Sequence, residues 1–209
     1  MFKTIQRNGL VLAMFACLTT GVVSITHLLT ADKIKAQQIS QLQGQLNQVI
    51  PTNLHDNELY ANCVDLNNLA LGSQENMPAY IATIDGKPTA VAIETIAPDG
   101  YSGAIKLLVG VDLQGKVLGA RVLSQHETPG LGDKIDLRVS DWILAFADKI
   151  ITADNHNSWK VRKDGGQFDQ FTGATITPRA VVKAIYNTGL YFTQNQQQIL
   201  SSSPQCEVK

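Results

Sequence analysis

Apolar and polar positions change their rhythm several times along the chain. After Lys3 and Arg7 the sequence runs from Gly9 to Leu29 with no Asp, Glu, Lys or Arg, and charge returns at Asp32 and Lys33. As a helix, those 21 residues span roughly 30 Å, the thickness of a bilayer's hydrocarbon core. The run is longer than the apolar part of a cleaved signal and no small-x-small site follows it, so residues 1–31 are predicted to be a cytoplasmic tip and an uncleaved transmembrane anchor. A lipoprotein reading of Cys17 is disfavoured by the bulky Phe15 just upstream. Lys3 and Arg7 keep the N-terminus in the cytoplasm by the positive-inside bias, which sends residues 30–209 to the periplasm or exterior.

From Asp32 to Ile50 the chain is Gln-rich, with Ile34, Ile39, Leu42, Leu46 and Val49 spaced mostly by three and four. That stripe predicts an amphipathic connecting helix over 32–50, ended by Pro51, which packs either on a neighbouring membrane protein or on the chain's own domain. The remaining residues, 51–209, form the predicted exported domain. Asn, Asp, Gly and Pro over 51–78 read as irregular connection. Largely apolar, β-branched runs at Ala79–Asp85 and Thr89–Ile96 flank Asp85-Gly86-Lys87-Pro88, and Ala104–Val111 and Lys116–Gln125 flank Asp112-Leu113-Gln114-Gly115 in the same manner. These predict an antiparallel meander of about four strands.

Helical spacing is predicted from Ser140, where Val139, Trp142, Ile143, Phe146, Ala147 and Ile150 share a face. A last helix is predicted to open at Thr177-Pro178, an N-cap followed by proline at the first helical position, with Val181, Val182, Ile185, Leu190 and Phe192 available to pack on the sheet. The fold class is therefore α+β: one N-terminal transmembrane helix, then an antiparallel sheet packed by helices.

Composition narrows the functions. With 209 residues, a net charge of −1 and a pI near 6.4, the chain carries no basic field for a phosphate backbone, and nucleic acid is excluded as a partner class. Hydrophobic content of 44% against 17% charged residues argues for a packed core. Cys17 lies in the anchor, leaving Cys63 and Cys206 as a pair on the side where disulfides persist. A bond between them would close a loop of over 140 residues and contribute about 5 kcal/mol in the chain-entropy model. His27, His55, His126 and His156 lack a second ligand at i+3 or i+4, so no metal site is expected.

The segment with chemistry is Phe168 to Ala180, FDQFTGATITPRA. Thr172, Thr175 and Thr177 supply hydroxyls, Gly173 and Ala174 let backbone approach closely, and a helix start supplies unpaired N–H groups at a positive dipole end. Such a place suits a phosphate, although on the residues alone an ordinary capped helix after a polar turn is the commoner meaning of such a start.

Asp169 to Thr175, D-Q-F-T-G-A-T, resembles the D-x-x-(S/T)-G-A-T signature of the FMN-binding domain family, in which a flavin transferase esterifies the FMN phosphate onto the last threonine. The resemblance implies a covalent FMN on Thr175, with Asp169, Thr172, Gly173, Ala174 and Thr177 around it. A second segment, His126 to Asp133 (HETPGLGD), also looks like that family's flavin-side loop. It implies cofactor contacts from Glu127, Thr128, Gly130, Leu131 and Gly132: freed glycine amides facing ring oxygens, Leu131 covering a ring face, and Glu127 or Thr128 bonding a ring edge or the ribityl chain. Trp142 either flanks the ring or packs in the core, and Arg179 and Lys183 either offset the phosphate charge or do little.

With its single anchor, the whole pattern is similar to the family members that serve Rnf-type complexes, and more distantly to those of Na+-translocating NADH:quinone oxidoreductase. This implies an electron-carrying subunit in the bacterial inner membrane, part of a ferredoxin:NAD+ oxidoreductase coupled to ion movement. It would not be catalytic alone, and its partners would be the other membrane subunits and the flavin transferase. The alternatives are a stand-alone FMN-domain carrier, the quinone-reductase subunit, or an anchored scaffold without redox function.

Overall fold

The computed structural model describes residues 2–203. It divides into a helical unit ending at Gln41 and a compact unit beginning at Leu42. Helix α1, Phe2–Val49, belongs to both.

In the first unit, α1 is long and apolar enough to cross a membrane, with a mean hydropathy of 2.0 over its most apolar 18-residue window. Leu12, Phe15, Leu18, Val22, Val23, Leu28 and Leu29 all stand exposed, as a lipid-facing helix requires. Its hydroxyls are satisfied locally: Thr19 Oγ1 donates to the Phe15 carbonyl at 2.9 Å, and Thr26 Oγ1 to that of Val22 at 2.8 Å. A polar side chain is carried in an apolar helix by such back-bonding to the preceding turn.

The compact unit is built on five antiparallel strands in sequence order: β1 Cys63–Leu66, β2 Met77–Ile84, β3 Lys87–Ala97, β4 Ile105–Asp112 and β5 Val117–Ser124. The four predicted strands are β2 to β5, joined where the turn clusters stand. Asp85 and Gly86 take the left-handed φ of +50° and +72° that the tight β2–β3 turn needs. β1 is an addition: Cys63 to Leu66 pairs with Tyr80 to Met77 inside the stretch predicted to be irregular. Of the expected Cys63–Cys206 pair, Cys63 is buried in β1 and Cys206 lies outside the described residues.

The sheet is covered on both faces. On β3, Val91 and Ile93 point into a large core with Val181, Val182, Ile185 and Phe192 of helix α2, Ile176–Ser201. Ala90 and Ala92 point the other way, into a smaller core with Leu46, Val49 and Ile50 at the end of α1. The small alanines on that face leave room for the helix end. Of the two packing partners open for the amphipathic stripe, its C-terminal part, from Leu42 onward, uses the chain's own domain.

The helix expected from Ser140 to Ile150 is instead a six-residue 3-10 turn, Asp141–Phe146. Ile143 and Phe146 are buried as anticipated, but Val139 and Ile150 are about half exposed. The chain leaves helical geometry because β5 captures it. Asp148 N donates to the Val117 carbonyl at 2.8 Å, Val117 N to Lys149 at 2.9 Å, and Ile151 N to Gly115 at 2.9 Å. Phe146 stacks on Phe168 at 4.4 Å and Trp142 meets Phe146 edge-on at 5.2 Å, an aromatic cluster beneath the chemistry-bearing segment.

Candidate cofactor site

Phe171 to Ala174 is a tight turn closed by Ala174 N donating to the Phe171 carbonyl at 3.3 Å. Its third residue, Gly173, takes a φ of +84°, a conformation glycine adopts without strain. The turn delivers the chain directly into α2. Thr175, rather than Thr177, is the N-cap, and its hydroxyl makes no capping bond. That leaves a half-buried hydroxyl unengaged at the positive end of a 26-residue helix, beside backbone N–H groups that lack intrahelical acceptors. Pro178 is the third helical residue and not the expected first, because the helix begins two residues earlier, at Ile176; it has no N–H to leave unpaired.

The 126–133 loop folds around one acceptor: the Thr128 carbonyl receives the N–H groups of Leu131 and Gly132, each at 3.1 Å. The Gly132 amide is therefore committed to the loop, contrary to the expectation that it faces a ring oxygen. Glu127, 5% exposed, reaches inward. Its Oε1 accepts from Ser102 N at 3.0 Å and its Oε2 from Thr177 Oγ1 at 2.6 Å. The two sequence segments meet where a Cβ on Gly173 would stand 3.2 Å from Leu131 Cδ2.

Between them lies a cleft of about 370 Å³ lined by Tyr101, Glu127, Thr128, Leu131, Gly132, Gly173, Ala174, Thr175, Ile176 and Thr177. That volume falls within the range of small-molecule sites. Eight of the eleven anticipated residues line it. Asp169, Thr172 and Gly130 do not: Asp169 is exposed and pairs with Arg162 at 3.0 Å, while its carbonyl accepts from Trp142 Nε1 at 2.8 Å. Of the two roles open to Trp142, the structure shows packing, edge-on to Phe171 at 5.2 Å. Arg179 and Lys183 are already engaged, with Asp164 and Asp99, each at 2.6 Å. The Arg179 guanidinium holds the Asp164 carboxyl below its ordinary range by hydrogen bonding. Tyr101 and Ile176 are lining residues that sequence reasoning did not reach. The one available signal for Tyr101 was an aromatic bracketed by Gly100 and Gly103 in a β-turn stretch.

A helix start with an unbonded hydroxyl, a glycine turn and a cleft of this size make a candidate site for a phosphate-bearing small molecule. Consistently, the family model described as FMN-binding domain matches residues 100–188, which include every lining residue of the cleft, and the RnfG N-terminal region matches residues 1–49. The G subunit of the ion-translocating oxidoreductase complex of Vibrio atlanticus is 60% identical over 206 residues, 99% of both chains. That of Vibrio cholerae is 58% identical over 207 residues, again 99% of both, and that of Shewanella oneidensis 57% over 204, covering 97% and 96%. The chain belongs to this family of G subunits.

Proposed function

We propose that this chain is the electron-carrying subunit of an ion-translocating, membrane-bound ferredoxin:NAD+ oxidoreductase, holding FMN as a phosphate ester on Thr175. The observation that carries the reading is the Thr175 hydroxyl, at a helix N-cap, in the cleft, without a capping bond. A threonine whose role was only to cap would be expected to accept from an N–H of the first turn.

The residues present suit the group. Backbone N–H groups of the first turn of α2 would hold a phosphate at Thr175. Gly173 admits close approach of the ligand, Leu131 and Ile176 supply apolar cover, and Thr128 stands on the rim. When bound, FMN supplies one- and two-electron redox chemistry, for which the protein provides position and electrostatics. An ester removes dissociation as a route of loss, which matters on the periplasmic side, where a lost flavin is not readily replaced. Residues 1–31 anchor the chain in the inner membrane with Lys3 and Arg7 cytoplasmic. A flavin transferase matures the protein, and the other subunits of the complex are its electron partners.

The test is co-expression of the full-length chain with a flavin transferase, followed by a denaturing gel under ultraviolet light. Fluorescence in the wild type, absent from Thr175→Ala, and a modified peptide at Thr175 by mass spectrometry are the expected results. A dark wild-type band beside an active transferase would leave an anchored scaffold as the better account. Co-purification with the remaining subunits tests the assembly, and reporter fusions at the C-terminus test the orientation.

A further inference from the structure

Among the described residues that line the cleft there is no Lys, Arg or His, and one carboxylate, Glu127. It is buried, and both oxygens act as acceptors, one for the Ser102 N–H and one for the Thr177 hydroxyl. Each oxygen thus has a partner of its own, which fixes the carboxyl group at both ends. The surroundings are shaped to it: a Cβ on Gly132 would stand 2.7 Å from Oε2 and 2.9 Å from Thr177 Oγ1, and one on Gly100 would stand 3.0 Å from Oε1. Three segments far apart in sequence, residues 100–103, 126–133 and the start of α2, thus converge on one side chain.

We infer that Glu127 is a positioning residue that ties these three walls of the cleft together and, as the one carboxylate among the described lining residues, lowers the midpoint potential of the flavin held there. The inference rests on the FMN reading above. Reducing a bound flavin by two electrons, with one proton taken from solvent, adds one negative charge to the cleft. A fixed negative charge in a water-poor site opposes that addition, by the same physics that makes one of two neighbouring carboxylates resist ionisation. With no Lys, Arg or His among the described lining residues to offset it, the effect is directed at the reduced form.

The experiment is a redox titration of flavin-loaded full-length protein in detergent, with a mediator mixture and dithionite as reductant. Glu127→Gln preserves shape: its Oε1 still accepts from Ser102 N, and its amide faces a Thr177 hydroxyl that reverses to accept. A shift of the midpoint to more positive potential is expected. Thr177→Val keeps the charge and removes one of its donors, so its midpoint should move the opposite way. A positive shift in both variants, or none in Glu127→Gln, would overturn the electrostatic role. Where Glu127→Gln does not fold, Thr177→Val decides, a more negative midpoint supporting the role and an unchanged or more positive one refuting it. Flavin-free protein tests the positioning role: Glu127→Ala should abolish hydrogen-exchange protection at the Ser102 amide while the β3–β4 ladder stays protected, and retained protection at Ser102 would sink it. A wild type that takes up no flavin is a failure of the FMN reading, seen before any titration, and the tuning role falls with it.

Discussion

Gly110 gives up its side-chain volume to Val49: a Cβ there would overlap the Val49 carbonyl oxygen. Gly110 pairs with Gly119 across β4 and β5, and a Cβ on Gly119 would stand 3.1 Å from Val49 Cα. The two glycines form a notch in the sheet in which the last turn of α1 sits, burying Leu46, Val49 and Ile50. Gly110→Ala forces backbone against backbone, where no rotamer change relieves the clash. Overpacking of this kind costs about 1–3 kcal/mol, which for a domain of this size lowers the melting temperature by roughly 2–12 °C. Thermal unfolding of the full-length protein in detergent checks this, and an unchanged melting temperature would mean the helix end is not seated in the notch.

Much of this architecture was legible in the sequence, and the failures have identifiable causes. Strands β2 to β5 announce themselves through β-branched, largely apolar runs and through Asp85-Gly86 and Asp112 to Gly115, because turn chemistry is local. β1 is four residues, Cys63 to Leu66, too short for a period to register among its polar neighbours. The stripe from Val139 to Ile150 has helical spacing, yet the backbone bonds of residues 148–151 to β5 and Gly115 override it, as tertiary contacts routinely override propensity. Both halves of the cleft were recognisable as motifs. The bond between Glu127 and Thr177, 50 residues apart, was not, since nothing local marks a buried carboxylate and its donor as partners.

Gly173→Ala should reduce flavin loading more than stability. The left-handed φ of +84° costs a non-glycine residue about 1–2 kcal/mol, and the new methyl meets Leu131 Cδ2. Both effects push the turn away from the loop it touches and displace Thr175 relative to its cleft. The expected outcome is a several-fold lower ratio of in-gel flavin fluorescence to protein at limiting transferase, with a melting temperature only a few degrees lower. Equal loading at short incubation times would show that the turn tolerates the shift.

The acid limb of stability should carry a contribution from Asp136. Its carboxyl is held below the ordinary aspartate range, first by the side-chain hydrogen bonds from Arg138, which outweigh the opposing effect of burial. Nε of Arg138 lies 3.0 and 3.1 Å from the two oxygens. A depressed folded value means that the contribution is fully present above the unfolded value near 3.9 and fades as pH falls through the lower folded value. Melting temperatures of wild type and Asp136→Asn should therefore differ at pH 7, with the gap narrowing only once the pH falls below about 3.9 toward the lower folded value. A gap of constant size across that range would assign the difference to packing instead of ionisation.

On the α1 side of the sheet, Glu94 is 5% exposed and holds two partners. Tyr80 donates its hydroxyl to Oε1 at 3.0 Å, and Lys106 Nζ lies 2.5 Å from Oε2. Burial first, and the Glu94 charge second, push the Tyr80 phenol far above its ordinary range. The two ends of the ion pair are unequal, since the Lys106 side chain is 41% exposed and that of Glu94 7%. Lys106→Met strands a buried carboxylate with one donor, and a loss of about 1–3 kcal/mol is expected. It should stay below the cost of breaking a fully buried pair because water reaches the Lys106 side. Glu94→Gln keeps an acceptor for Tyr80 and releases Lys106 to solvent, so the smaller loss is expected there. In the same variant the phenol should titrate at lower pH than in wild type, the Glu94 charge being gone. Chemical denaturation of both variants, with an ultraviolet titration of tyrosine ionisation in Glu94→Gln and in wild type, checks the ordering. A larger loss in Glu94→Gln than in Lys106→Met would show that the charge itself, and not the stranding of it, governs this corner of the sheet.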